Sequence, residues 1–140
     1  KGARLDPQIQ KHCDQVRAAE GYIVIHPNWW AQPPAILKGW LDRVIRQGVT
    51  YEFGPGGVVP LLTGRRALVI TTSNTPREDE IRLYGDPLEN LWANCVFGFC
   101  GVKQFKRRNF ESIVMSTAQQ RQEWLAETAR LVDEQFPAKP

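Results

Sequence analysis

Apolar residues along this chain alternate between helical spacing and short continuous runs. Ile9, Cys13 and Val16 recur as one face of a helix. Asp6-Pro7 opens that helix, with Asp as N-cap and Pro at the first helical position, and Gly21 stops it. Residues 22–26 form a run rich in β-branched side chains and read as a buried strand. Pro33-Pro34 starts a second helix, whose stripe is Ile36, Leu37, Trp40, Leu41, Val44 and Ile45, and Gly48 ends it. Residues 49–62, with Gly54-Pro55-Gly56-Gly57, read as an excursion of a length that is often functional. A second buried strand is expected over residues 65–72, around Ala67-Leu68-Val69-Ile70. After a polar loop and a charged stretch, Asp86-Pro87 repeats the helix-start signal, and Leu88, Leu91, Trp92, Cys95 and Val96 supply the buried stripe. Residues 106–114 give a third, more polar strand that suits a sheet edge. Thr117 with Gln120 fits a capping box for a last helix, which would bury Leu125, Ala129, Val132 and Phe136.

Strands alternating with helices imply an α/β fold with a parallel sheet covered on both faces. Residues 1–140 carry no repeat, low-complexity tract or compositional break, so one domain is expected. Lysine and arginine number 18 against 15 acidic residues, a net charge of +3 that gives no reason to invoke nucleic acid. The one local excess, Lys103, Lys106, Arg107 and Arg108, reads as a solvated strand entrance, with a nicotinamide-phosphate site as the rival. Cys13, Cys95 and Cys100 show no paired spacing, which argues against disulfides or zinc. Cys13 and Cys95 fall on expected apolar helix faces, and the pattern suits a reducing, cytoplasmic setting. No apolar run has the length of a membrane span. The opening Lys-Gly-Ala-Arg has neither a signal-peptide core nor a Met, so the chain reads as cut at its front.

Ligands of open α/β sheets gather beyond the carboxyl ends of the strands. Three segments qualify: residues 26–32, 71–76 and 115–118. Trp29 and Trp30 offer flat apolar cover, and a Thr/Ser/Asn loop offers main-chain donors to a heterocycle. Each has a plainer alternative. A Trp-Trp pair taken alone is more often packing or interface, and hydroxyl-rich turns are common. Trp40 and Trp92 sit on helix stripes and read as core; His26 reads as a satisfied structural histidine, His12 as helix surface and Asp86 as a cap. No nucleophile elbow, zinc-protease helix or phosphate loop is present. Chemistry would therefore come from a cofactor.

The block His26-Pro27-Asn28-Trp29-Trp30, the run Pro34-Ala35-Ile36-Leu37-Lys38-Gly39-Trp40 with Asp42-Arg43-Val44, then Thr71-Thr72, Gly85-Asp86 and Phe99-Cys100-Gly101 resemble the flavodoxin-like NAD(P)H:quinone oxidoreductases. The likeness runs from Ala19 to Phe136 and covers the later two-thirds of such a domain. It implies FMN or FAD as cofactor and NAD(P)H as co-substrate, with hydride passed to a quinone or a nitro- or azo-type acceptor. The flavin ring would rest against Pro27, Asn28, Trp29, Trp30 and Ala31, and its pyrimidine side would meet Thr71, Thr72, Ser73 and Asn74. Family members are homodimers in which a partner loop covers the flavin; Tyr51 and Phe53 match that substrate-facing loop. Some members carry a Tyr and a His that steady charge on the reduced ring. Tyr84 occupies the His position here and is the implied catalytic residue, although a phenol donates a hydrogen bond without carrying positive charge.

The resemblance also implies a strand order of 2-1-3-4-5, with this chain supplying strands 3, 4 and 5. The N-terminal βαβ portion, with its phosphate-binding turn, is expected roughly fifty residues long and upstream. The chain as written would bind flavin poorly, and its first strand would have an open apolar edge. Two rivals to an oxidoreductase are a ligand-sensing ancillary subunit of a potassium-efflux system and an inactive truncated scaffold.

Overall fold

The computed structural model describes residues 5–138. Helix α1 (Pro7–Ala18) begins as expected: the Asp6 carboxylate accepts from the N–H groups of Gln8 (2.8 Å) and Ile9 (3.4 Å). Strand β1 (Gly21–Pro27) and helix α2 (Ala35–Val44) follow. The excursion is a hairpin, β2 (Tyr51–Gly54) with β3 (Gly57–Pro60), turned on the Gly-Pro-Gly-Gly segment. It leads into β4 (Arg66–Thr72). The charged stretch, for which no element was expected, is helix α3 (Arg77–Tyr84). Its first turn carries Glu78, Asp79 and Glu80, favourable at the positive end of the helix dipole, and Gly85 ends it at a φ of 69°.

Helix α4 (Pro87–Glu89) opens on Asp86 as expected and then widens into a π-helix (Asn90–Gly98). Gly98 permits that widening, because a Cβ there would sit 2.4 Å from the Ala93 carbonyl oxygen. Strand β5 (Gln104–Phe110) starts two residues before the expected strand and stops four earlier. A 3₁₀ turn (Ile113–Met115) and helix α5 (Ala118–Gln135) complete the fold. The capping box is present: Gln120 N–H donates to Thr117 Oγ1 (3.1 Å) and Thr117 N–H to Gln120 Oε1 (2.8 Å).

β1, β4 and β5 form one parallel sheet with β4 central and no register offset: Gly21, Arg66 and Gln104 pair at one end, Pro27, Thr72 and Phe110 at the other. Ala67 and Val69 face a core built with Cys13, Val16, Leu41, Val44, Leu88, Trp92 and Phe97. Leu68, Ile70 and Phe110 face the other way, against Trp124, Leu131, Val132 and Phe136. Burying a side chain of this size contributes about 1.5–3 kcal/mol, so the central strand, buried on both faces, anchors the sheet.

Several single positions depart from the expected pattern. Ile36 opens α2 at the rim and is 86% exposed, and Trp40 is half-buried at the edge of the core, where its Nε1 donates to His12 Nδ1 (2.9 Å). His12 is accordingly a partnered residue rather than plain helix surface. Cys95 is exposed, since the wider turn of the π-helix rotates it off the buried face. Leu125 is exposed as well; α5 buries the Trp124–Leu131 side of its surface instead. Ile23 and Ile25 are exposed, because α5 does not reach over β1.

Candidate functional site

The three strands end level, so the loops that follow them emerge side by side. Asn28 N–H donates to Thr72 O (2.7 Å) and Ser73 N–H to Phe110 O (2.9 Å), which extends the sheet by one residue in each loop. Beyond Asn28 the chain reverses within two residues: Trp29 and Gln32 exchange main-chain hydrogen bonds, both 3.0 Å. Trp30 (φ 54°) and Ala31 (φ 60°) occupy the centre of this turn in the left-handed region. Glycine, asparagine and aspartate are the usual residues of such a turn. An L-residue with a Cβ costs about 1–2 kcal/mol there, and strain of this kind gathers at functional sites. Trp30 is 98% exposed, so burial within the chain is not what holds it there.

The second loop is built on a buried polar network. Thr71 Oγ1 donates to Asn109 Oδ1 (2.8 Å), Asn109 Nδ2 to Ser73 Oγ (3.0 Å), and Ser73 Oγ to Thr75 O (3.2 Å). Ile113 N–H donates to Ser73 O and Val114 N–H to Asn74 Oδ1, both 3.1 Å, so the third loop braces the second.

Between the first two loops and α3 lies a cleft of about 650 Å³. Six of the residues singled out from the sequence meet in it: Asn28, Trp30, Ala31, Ser73, Asn74 and Tyr84. Thr75 and Glu80 complete the lining. Glu80 escaped the sequence reading because α3 did, and acidic residues in a charged stretch give no signal of burial. Pro27, Trp29, Thr71 and Thr72 build the walls rather than line the space. Trp29 closes the turn, the Thr71 side chain is spent on Asn109, and the Thr72 carbonyl holds Asn28. Tyr51 and Phe53 lie elsewhere. The chain runs from their hairpin into the amino end of β4, opposite the cleft, and Tyr51 packs edge-on against Phe53 (5.6 Å) and Phe99 (5.0 Å). Within one chain they do not meet the other candidate residues.

The cleft offers unmatched polar groups. Among the described residues, the main-chain N–H groups of Trp30, Ala31, Asn74 and Thr75 make no hydrogen bond. Asn28 Nδ2 donates to Glu80 Oε1 (3.1 Å), while the buried Asn28 Oδ1 has no partner. Buried polar atoms are nearly always paired, so an orphan next to a cleft points to a donor from outside the chain.

His26, just beneath, is structural as expected. Trp92 Nε1–H donates to its Nε2 (3.0 Å), so Nδ1 carries the proton and donates to Pro27 O (2.8 Å). Burial pushes its pKa below the ordinary histidine value, against the bond to Pro27, with the nearby Arg107 charge adding to the depression. Arg107 in turn fixes the α3–α4 corner: its buried Nη1 reaches both Asp86 oxygens at 2.8 and 2.9 Å. Lys106 pairs with Glu134 and Arg108 with Glu127 and Glu111, so three of the four basic residues of the cluster are held in ion pairs, and Lys103 is exposed.

A family model described as flavodoxin-like fold matches residues 1–134. The chain belongs to the flavodoxin-like fold family. Among proteins of known structure, it is similar to Smu.1420 from Streptococcus mutans, with 30% identity and a TM-score of 0.82 over 92% of this chain and 68% of that one. It is also similar to an uncharacterized NAD(P)H oxidoreductase of Haemophilus influenzae, 30% identical over 111 residues that make up 78% of this chain and 54% of the relative. The FMN-dependent NADH:quinone oxidoreductase of Vibrio parahaemolyticus is 31% identical over 91 residues, 64% of this chain and 44% of the relative. The chain thus spans about half the length of these curated relatives. No helix among the described residues is long and apolar enough to cross a membrane.

Proposed function

We propose that the protein is a flavin-dependent NAD(P)H oxidoreductase that uses FMN to pass hydride from a nicotinamide to a quinone or azo-type acceptor. The observation that carries this reading is the convergence of Trp30, Ala31, Ser73, Asn74 and Tyr84 on one cleft at the carboxyl ends of β1 and β4. The names of the similar proteins, an FMN-dependent NADH:quinone oxidoreductase among them, support the cofactor and the chemistry. The residues fit a flavin ring. Trp30 offers an uncovered indole face. The free N–H groups of the two loops suit the carbonyl and ring-nitrogen acceptors of its pyrimidine side. The orphaned Asn28 Oδ1 suits a ring N–H. Bound FMN would supply two-electron hydride chemistry. Pro27, Trp29, Thr71 and Thr72 would set the loops in position, and the Tyr84 hydroxyl, unpartnered among the described residues, would donate to charge that develops on the ring.

The same reading includes a cytoplasmic homodimer. Tyr51 and Phe53, distant from the cleft of their own chain, would cover the acceptor in the partner's. The free thiols of Cys13, Cys95 and Cys100 support a reducing compartment.

The test uses protein expressed from its complete coding sequence and follows FMN binding by flavin fluorescence. Trp30→Ala should weaken FMN binding roughly five- to 150-fold, the range of stacking on an aromatic side chain. Its thermal stability should hardly move, because the indole is almost wholly exposed. A wild-type protein that takes up no FMN removes the proposal. FMN binding without NAD(P)H consumption in the presence of a quinone would favour a ligand-sensing role instead.

A further inference from the structure

We propose that Glu80 makes this cleft select uncharged electron acceptors over anionic ones. The inference rests on the reading of the cleft as the flavin and acceptor site. Of the residues that line it, Glu80 is the one carboxylate, and none is a cation. It is 3% exposed and belongs to no ion pair among the described residues. The basic groups nearby are committed elsewhere. Arg82 pairs with Asp79 (2.5 Å), and Arg107 with Asp86 and Glu89. Glu78, on the same helix, is exposed outside the cleft. The one polar contact Glu80 makes through its side chain is the amide of Asn28 on Oε1, a neutral donor that fixes the carboxylate without neutralising it. Oε2 carries no hydrogen bond among the described residues.

Glu80 thus sets a carboxylate with no cationic partner among the described residues on the wall of the cleft. A sulfonate or carboxylate brought into the cleft with an acceptor meets that charge across a few ångströms of protein. A neutral quinone does not, and one bearing an O–H or N–H finds Oε2 free to accept. The discrimination expected from two like charges in a partly screened cleft is about tenfold in Kd, which corresponds to ~1.4 kcal/mol. Glu80 is a specificity-determining residue on this account, and Asn28 is the residue that positions it.

The experiment compares 1,2-naphthoquinone with 1,2-naphthoquinone-4-sulfonate on the FMN-loaded protein expressed from its complete coding sequence. Kd is read from tryptophan fluorescence quenching without nicotinamide, and kcat/KM from NADH oxidation. The wild type should favour the neutral ring about tenfold by both measures. Glu80→Gln should bring the ratio within about threefold while FMN stays bound, and Glu80→Asp should retain the preference. Thr75→Lys, which adds a cation to the same lining, should narrow the ratio with Glu80 intact. An unchanged ratio in Glu80→Gln with FMN bound overturns the inference. If that variant does not fold, an unchanged ratio in Thr75→Lys does so. A wild type that holds FMN but shows no charge preference overturns it as well and leaves the cleft reading standing. A wild type that binds neither FMN nor either quinone takes down the cleft reading and this inference together.

Discussion

Acid should destabilise this protein through His26. The side chain is 4% exposed and neutral, with Nε2 accepting from Trp92 and Nδ1–H donating to Pro27. Protonation of Nε2 would set two donors face to face 3.0 Å apart and leave a charge in the core. The folded pKa therefore lies below the ordinary value of 6.5 that the unfolded chain retains. Below about pH 6.5 the unfolded state binds the proton and the folded state resists it. The stabilisation is complete above 6.5 and fades as pH falls toward and through the folded pKa. The slope in that window approaches a limit of ~1.4 kcal/mol per pH unit, the value of one proton taken up on unfolding. Urea unfolding followed by far-UV circular dichroism between pH 8 and 5 measures it, with His26→Gln as the non-titrating reference. The amide oxygen of Gln can still accept from Trp92. Glu127, held below the usual carboxylate range by its hydrogen bond to Arg108, titrates in both proteins and cancels. The difference between the two stability curves should tilt below pH 6.5. A flat difference from pH 7 to 5 would refute the assignment of a buried neutral imidazole.

Two further outcomes concern the scaffold. Arg107→Met should destabilise by about 3 kcal/mol in urea titrations, the low end for breaking a buried pair. Its side chain is 2% exposed and leaves Nε and Nη2 unpartnered, so removing it strands Asp86 but also relieves two orphaned donors; a loss under 1 kcal/mol would deny the pair its role at the α3–α4 corner. Thr117→Ala removes one half of the capping box and should cost about 1 kcal/mol of stability, read as a shift in the urea midpoint at constant slope.

Much of this architecture is legible in the chain because its signals are local. Asp6-Pro7, Asp86-Pro87 and the Thr117/Gln120 pair are chemical start marks, and all three helices begin there. Ala67–Ile70 is apolar on both faces, as a central parallel strand must be. What escaped depends on partners. Helix α3 has few apolar residues, and its one buried side chain is Glu80, held by an asparagine 52 positions away. Leu125 and Cys95 fit a helical period, yet burial follows where the core sits, and both are exposed. The loops after β1 and β4 could be chosen as a site from composition, but only the level strand ends show that they share a rim. The same geometry sends Tyr51 and Phe53 to the far end of the sheet.

The segment Asn90–Gly98 carries a consequence for length variation. Its bonds reach back five residues, as from Phe99 N–H to Asn94 O (2.9 Å). It therefore holds more residues than an α-helix of equal reach. Deleting one would let the coil tighten and swing the Trp92 indole around the axis, away from His26. A single-residue gap in this stretch would dismantle the floor beneath the first loop, whereas the same gap at the tip of the β2–β3 hairpin would shorten only an exposed turn.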